Sequence, residues 1–145
     1  EEKQQSKREF DFDSLKTKLN KIKPGKKDAN KYHNTIMGLL EAIFYPFLIT
    51  PTKEEKTHDG RKRIDITFIN SAKAGFFNVL SNHIPCFSIM GECKNYSGDP
   101  ANPELDQLSG RFSPRRGTFG LLLCRQINDK KLFEKRCKDT GCERR

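Results

Sequence analysis

Three acidic side chains interrupt segments of the chain that are otherwise apolar. Glu41 is the one charged residue between positions 36 and 49, Asp65 lies in the middle of an apolar run, and Glu92 directly follows another. A carboxylate taken out of water is costly unless it is paired or bound to a cation. Any one of these acids could form a local salt bridge or end a strand in solvent. The neighbouring residues must therefore show whether its role is structural or catalytic.

Glu92 and Lys94 form the most informative pair. Residues two apart in a strand face the same side, roughly 6–7 Å apart, while Cys93 between them faces the opposite layer. A carboxylate suits a hard cation such as Mg²⁺, and the backbone carbonyl of Cys93 would supply a further oxygen. The ammonium of Lys94 would steer an attacking water or stabilise charge on a phosphate in transfer. The alternative is an ordinary Glu–Lys pair on an exposed face, because this spacing is common.

The elements that must position these residues alternate between helix and strand. Hydrophobic periodicity and turn residues mark their bounds. In order they are a helix over 29–44, a short strand over 47–50, a strand over 63–69, a helix over 71–82, a strand over 87–94, a helix over 103–112, a strand over 118–124 and a basic helix over 130–138. This alternation predicts an α/β fold with a mixed central β-sheet flanked by helices.

Some of these elements carry more specific expectations. In the strand 63–69, alternation places the three apolar side chains on one face and Asp65 on the other. The strand 118–124 is nearly all apolar, which is typical of a strand buried on both faces. Residues 51–61 are predicted to form a polar loop with a turn at Asp59-Gly60.

A strand Asp, a strand ExK, a helix with Gln and then an apolar strand resemble the PD-(D/E)xK nuclease superfamily over residues 30–128. Asp65 matches the Asp of that motif, and Glu92 and Lys94 match its (D/E)xK part. Ile64 stands where the name motif has Pro. The resemblance implies a restriction-endonuclease-like αβββαβ core with an extra helix before the ExK strand.

The same resemblance implies metal-assisted hydrolysis of phosphodiester bonds. Mg²⁺, with Mn²⁺ as a substitute, would lower the pKa of the attacking water. Glu41 matches an additional acid on the helix before the sheet, and Gln107 matches a Gln on the helix after ExK. The implied catalytic residues are Asp65, Glu92, Lys94, Glu41 and Gln107, and the implied metal ligands are Asp65, Glu92, Glu41 and Cys93.

The net charge of +9 favours a polyanionic partner, because neutralised phosphates release condensed counterions. A solvated basic surface is the alternative. On the helix 103–112, Gln107 and Arg111 are four residues apart and are therefore neighbours on its surface. We predict that double-stranded DNA is the partner. The predicted nucleic-acid contacts are Asn95, Tyr96, Gln107, Arg111, Arg115 and Arg116.

These features predict a DNA endonuclease of a restriction or phage-defence system. Two alternatives stay open: a module of the same fold that binds nucleic acid without cutting it, and a nuclease that acts on RNA or branched DNA. The intact set of Asp65, Glu92 and Lys94 argues against the first alternative. No feature of the sequence separates the possible substrates.

Length and composition fit a single core in a cytoplasmic protein. The 145 residues suit one domain, predicted as a nuclease domain over 29–145 preceded by a charged helix or linker arm over 1–28. No apolar run reaches the about 18 residues of a membrane span, and the first residues lack a signal peptide. Further domains of a longer chain, or a homodimer, are both compatible with the sequence.

The cysteines and histidines show no ligand spacing. The five cysteines lack the close CxxC pairs of a structural zinc centre, which predicts reduced thiols and no zinc. We interpret the three histidines, His33, His58 and His83, as structural or exposed.

Overall fold

The computed structural model describes residues 9–57 and 62–143, which form an α/β fold with a four-stranded mixed sheet. No helix among them is long and apolar enough to cross a membrane. The helices are α1 (Phe12–Lys21), α2 (Ala29–Phe44), α3 (Gly75–Ser81), α4 (Asn102–Ser109) and α5 (Lys130–Glu143). The strands are β1 (Leu48–Thr57), β2 (Lys62–Asn70), β3 (Ser88–Lys94) and β4 (Gly120–Cys124).

The strands lie in the order β1-β2-β3-β4, with β4 parallel to β3 and the other pairs antiparallel. A parallel neighbour requires a crossover connection, which here contains α4. One core cluster packs α2 residues such as Tyr32 and Ile36 against Phe68 of β2. A second cluster joins Met90 of β3 to Leu108 of α4. The predicted mixed sheet with helices on both faces is therefore confirmed.

Strand β1 is longer than the sequence indicated. It pairs with β2 from Leu48↔Asn70 to Thr57↔Lys62, so most of the predicted loop over 51–61 is strand. The prediction was wrong because β1 is an edge strand with one neighbour, where a polar sequence is tolerated while the backbone pairs. The predicted turn at Asp59-Gly60 lies outside the described residues.

Strand β2 does not alternate regularly. We expected Ile64 to share a face with Ile66 and Phe68, but Ile64 packs with Met90 and Leu108 in the α4-side cluster. Ile66 and Phe68 belong to the α2-side cluster. The change of side occurs at Asp65, which is also where β2 stops pairing with β3.

Local hydrogen bonds shifted two predicted helix starts. The side chain of Asn70 accepts from the amide of Ala72 and donates to the carbonyl of Phe77, so it holds a loop and α3 begins only at Gly75. Helix α4 is preceded by Ala101, whose amide donates to Glu104 Oε2 at 2.8 Å. The Asn70 bonds compete with helix formation, whereas the Glu104 bond caps α4 one residue earlier than predicted.

Strand β4 is half-buried along its whole length. We predicted burial on both faces from its apolar sequence. It is an edge strand, paired with β3 alone, and that position leaves it partly exposed.

The described part of the predicted arm packs on the rest of the domain. A Cβ at Gly38 of α2 would lie 3.3 Å from Leu15 of α1, so the two helices are close. Ile22 is buried in the α2-side core. The following segment is tied to the end of β3, because the amide of Gly25 donates to the carbonyl of Asn95 at 2.7 Å.

Gly117 is required where the α4–β4 connection crosses the start of β3. Its φ is +148°, and an added Cβ would lie 2.6 Å from the carbonyl oxygen of Ser88. We expect Gly117→Ala to lower the free energy of unfolding by about 2–4 kcal/mol through backbone strain and overpacking. Urea unfolding measures this loss. Gly98→Ala is the matched control, since nothing lies within 4 Å of its added Cβ; equal losses would contradict the explanation.

Candidate active site

Strands β2 and β3 separate at the point where the acids lie. Their pairing ends at Ile66↔Gly91, one position before Asp65 would oppose Glu92. The Asp65 carboxylate replaces the missing backbone bond, because its Oδ2 accepts from the amide of Cys93 at 2.9 Å. Asp65 is buried, with 8% of its surface exposed. The separation opens a gap in the sheet, with an acidic side chain at its edge.

Lys94 connects the acid of β3 to helix α4. Its Nζ donates to Glu92 Oε1 at 3.1 Å and to Gln107 Oε1 at 2.8 Å. Glu92 and Lys94 therefore share one side of β3, as their spacing predicted. Cys93 lies in the core on the α2 side, as also predicted. Gln107 fixes the direction of the ammonium group, which is itself buried.

The Glu92 carboxylate has free coordinating capacity. The residue is 2% exposed, and its Oε2 has no hydrogen-bond partner among the described residues. Burial raises the pKa of the Glu92 carboxyl and the negative charge of Asp65 raises it further, whereas Lys94 and Arg111 lower it. An oxygen held in this way is costly unless something binds it.

Asp65, Glu92, Lys94 and Gln107 line one cavity of about 620 Å³. Residues that the sequence analysis did not single out also line it: His33 of α2, Arg63 of β2 and the segment that precedes α2. The lining residues are Pro24, Gly25, Lys26, Ala29, His33, Arg63, Asp65, Glu92, Cys93, Lys94, Asn95, Tyr96, Ser97 and Gln107. A second cavity of about 530 Å³, beside residues 81–87, includes no carboxylate among its lining residues.

Helix α2 directs His33, and not Glu41, at this cavity. His33 Nε2 lies 3.8 Å from Asp65 Oδ2, a distance that counts as an ion pair only when the imidazole is protonated. Glu41 lies eight positions further along α2, which is about 12 Å at ~1.5 Å per residue. Among the described residues that line the cavity, Glu41 is absent, and its place in a metal shell stays a prediction.

The interpretation of His33 as structural or exposed did not anticipate that this half-buried side chain lines the cavity beside Asp65. The available signal was that His33 precedes Ile36 and Met37 by three and four residues, so it shares the inward side of α2. His83 is exposed, as expected, and His58 lies outside the described residues.

The predicted nucleic-acid contacts separate into two groups. Tyr96 and Gln107 line the cavity, and Arg111 is close enough to lower the pKa of Glu92. Arg116 donates to the carbonyl of Arg111 at 2.9 Å. The carbonyl of Arg116 accepts from Ser88 at the other end of β3, about 13 Å from Glu92 at ~3.3 Å per residue. Arg115 is exposed next to it.

Asn95 has a structural task that the sequence did not reveal. Its Nδ2 donates to the carbonyls of Lys23 and Gly25, at 2.9 and 3.0 Å, and its Oδ1 accepts from Arg125. The residue is 4% exposed. Asn95 therefore holds the segment before α2 at the mouth of the cavity, directly after Lys94, and its amide is fully used within the protein.

The donor set fits a hard divalent cation. Asp65 and Glu92 offer carboxylate oxygens to the same cavity, and the buried Glu92 Oε2 has no protein partner in the described part of the chain. Oxygen ligands of this kind are what Mg²⁺ and Mn²⁺ prefer. Asp65 and Glu92 could therefore hold such an ion.

Asp99 fixes the loop that follows Lys94. Its carboxylate accepts from the amides of Asn128 and Asp129, at 2.7 and 2.8 Å, and the bonds from Asp129 and Asn128 lower the pKa of Asp99. A carboxyl whose pKa is lower in the folded than in the unfolded state stabilises the fold at any pH above its unfolded-state pKa. This stabilisation is lost as the pH falls through the folded-state pKa.

We therefore expect Asp99→Asn to lower the melting temperature at pH 7 by a few degrees. The gap to wild type should close as the pH falls below the ordinary value of 3.8. Asp106→Asn, at an exposed site on α4, is the control. A gap that stays constant down to the lowest pH would contradict the assigned role of the charge.

Comparison of the chain with protein-family models, with curated proteins and with solved structures found no match. No activity is therefore carried over from a relative. The geometry of the cavity and the sequence motif that its residues form are what indicate its chemistry.

Proposed function

We propose that the chain is a metal-dependent nuclease that hydrolyses phosphodiester bonds, most specifically a DNA endonuclease of the restriction or phage-defence type. The observation that carries the proposal is the buried Lys94, held between Glu92 and Gln107 with Asp65 across the gap in the sheet. The order α2-β1-β2-β3-α4-β4, with α3 inserted before β3, supports a restriction-endonuclease-like αβββαβ core.

In this proposal each side chain of the cavity has a distinct task. A bound Mg²⁺ supplies Lewis-acid chemistry to the scissile phosphate. Asp65 and Glu92 would hold that ion, and Asp65 also keeps the two strands apart by occupying the Cys93 amide. Lys94 orients the attacking water and stabilises charge that develops on the phosphate. Gln107 positions Lys94 and does not itself meet the reacting atoms.

Basic residues around the cavity would receive the phosphate backbone. Lys26 and Arg63 line the cavity, and Arg111 lies near Glu92. Phosphate contacts position a nucleic acid without reading its sequence. Lys26 is held there indirectly by Asn95, through the backbone of the segment before α2.

The test is cleavage of linear duplex DNA, branched DNA, single-stranded DNA and RNA with Mg²⁺, with Mn²⁺ and with EDTA. We expect Mg²⁺-dependent cleavage of duplex DNA that EDTA abolishes. Cleavage of RNA or of branched DNA would change the substrate and keep the chemistry. Binding of nucleic acid without cleavage under every metal condition would overturn the nuclease and support a binding module.

The interface is tested by the salt dependence of DNA binding in EDTA. Each phosphate contact adds about 0.9 to the slope of log K against log salt concentration. We expect Lys26→Ala and Arg63→Ala each to reduce the slope by about one, and Arg115→Ala to reduce it less. Lys73→Ala, at an exposed position beyond the far end of β2, is the control. A larger effect of Arg115→Ala than of Lys26→Ala would move the interface to the Arg115–Arg116 turn.

A further inference from the structure

Three donors of different chemistry meet at the same cavity, and one of them belongs to the proposed Mg²⁺ ligand Asp65. They are an imidazole nitrogen of His33, a carboxylate oxygen of Asp65 and the thiol sulfur of Cys93, and all lie within 4.8 Å of one another. The three residues come from α2, β2 and β3. Asp65 and Cys93 are buried, at 8% and 4% exposure, and His33 is half-buried.

This donor set differs from the one that suits Mg²⁺. Thiolate and imidazole are the ligands preferred by zinc and related transition metals, while Mg²⁺ prefers oxygen. Zinc bonds of about 2.0–2.3 Å place tetrahedral donors about 3.5 Å apart. Side-chain rotations that move the donor atoms by about 1 Å would therefore bring all three to bonding distance. Three protein ligands leave a fourth position, which here opens on the cavity that all three residues line.

We propose that His33, Asp65 and Cys93 form a site for a thiophilic transition metal, with Zn²⁺ as the fitting ion. On binding, the Cys93 thiol releases its proton to solvent and the sulfur bonds as thiolate. Because Asp65 belongs to both donor sets, Zn²⁺ and Mg²⁺ bind in competition, and Zn²⁺ inhibits cleavage. The inhibition rests on the proposed function, whereas Zn²⁺ binding does not.

We predicted no zinc from the sequence because it has no CxxC pairs. Close pairs of this kind are typical of structural zinc sites built within one local segment. Here the ligands come from three elements that meet only after folding, so spacing along the chain carries no signal. Of the described cysteines, Cys86, Cys93, Cys124 and Cys137 form no disulfide, and the first two are buried.

Binding is measured on the reduced, metal-free full chain without nucleic acid. Titration with Co²⁺ should produce a thiolate-to-cobalt absorption band in the near ultraviolet, and Zn²⁺ should displace the Co²⁺ and remove the band. Cys93→Ser should abolish the band, and His33→Gln should weaken Zn²⁺ binding by about 10²-fold, since even outer partners of a metal are worth about 10–100-fold. Cys86→Ser, another buried thiol of the same core, and Cys137→Ser, an exposed one, should leave both signals unchanged.

A wild-type chain without the cobalt band, or a Cys93→Ser chain that binds Zn²⁺ as Cys86→Ser does, would overturn the site. If Cys93→Ser fails to fold, Zn²⁺ binding by the His33→Gln chain decides, because His33 is only half-buried and its loss leaves the core intact.

The proposed inhibition is tested by comparing cleavage with and without Zn²⁺ within each variant. Inhibition should persist in Cys86→Ser and fall in His33→Gln; equal inhibition in both would overturn the competition. A chain that binds Co²⁺ but cuts no substrate refutes only the nuclease.

Discussion

Lys94→Ala should lower Mg²⁺-dependent cleavage by about 10²–10³-fold, as expected when one preorganised charge is removed from a transition state. The chain should still fold. Removing one partner of a buried ion pair typically costs about 3–5 kcal/mol, but burial already raises the pKa of Glu92. The raised pKa makes protonation of Glu92 easier than that of an exposed carboxyl, which lessens the cost of the charge left behind. We expect a fall in melting temperature of only a few degrees.

Three further variants isolate the charge of Lys94 from its packing. Lys94→Met keeps the aliphatic stem and should lose as much cleavage as Lys94→Ala. Gln107→Ala removes one of the two hydrogen bonds of the ammonium and should give a smaller loss. Lys31→Ala breaks an exposed ion pair with Asp28 and should change neither rate nor stability. If Lys94→Met cuts at the wild-type rate, Lys94 has no part in catalysis.

Glu92→Gln should remove the response of the protein to Mg²⁺. A ligand that binds only the folded state stabilises by about 2.7 kcal/mol at 100 times its Kd, or about 5–10 °C in melting temperature for a domain of this size. We expect the wild type to show this shift and the variant to show almost none. In EDTA two effects oppose each other in the variant, because the repulsion from Asp65 and the ion pair with Lys94 are lost together.

Cleavage by Glu92→Gln should fall with the metal affinity, and excess Mn²⁺ should restore part of it. Glu104→Gln makes the same chemical change at the start of α4, where the side chain accepts from the Ala101 amide. It should keep the full Mg²⁺ shift. A Glu92→Gln chain with an unchanged shift would show that the ion is held elsewhere.

The sequence by itself determined the elements whose signals are local. The apolar stripe and the following Pro46 predicted helix α2 at the bounds that the structure has, Ala29–Phe44. The two-residue period of a strand placed Glu92 and Lys94 on one side of β3, and the Lys94–Glu92 hydrogen bond follows from it. These features depend on neighbours within a few positions, so the chain encodes them directly.

Only the tertiary structure decided which of these residues meet. The irregular side-chain pattern of β2 and its separation from β3 at Asp65 arise from pairing and packing between strands. His33 lines the cavity and Glu41 is not among its lining residues, because the direction in which α2 lies across the sheet determines which of its turns reaches the gap. Lys26 arrives there because Asn95 holds the preceding backbone. Each of these contacts joins positions far apart in the chain. Periodicity and spacing describe only neighbouring residues, so they do not predict such contacts.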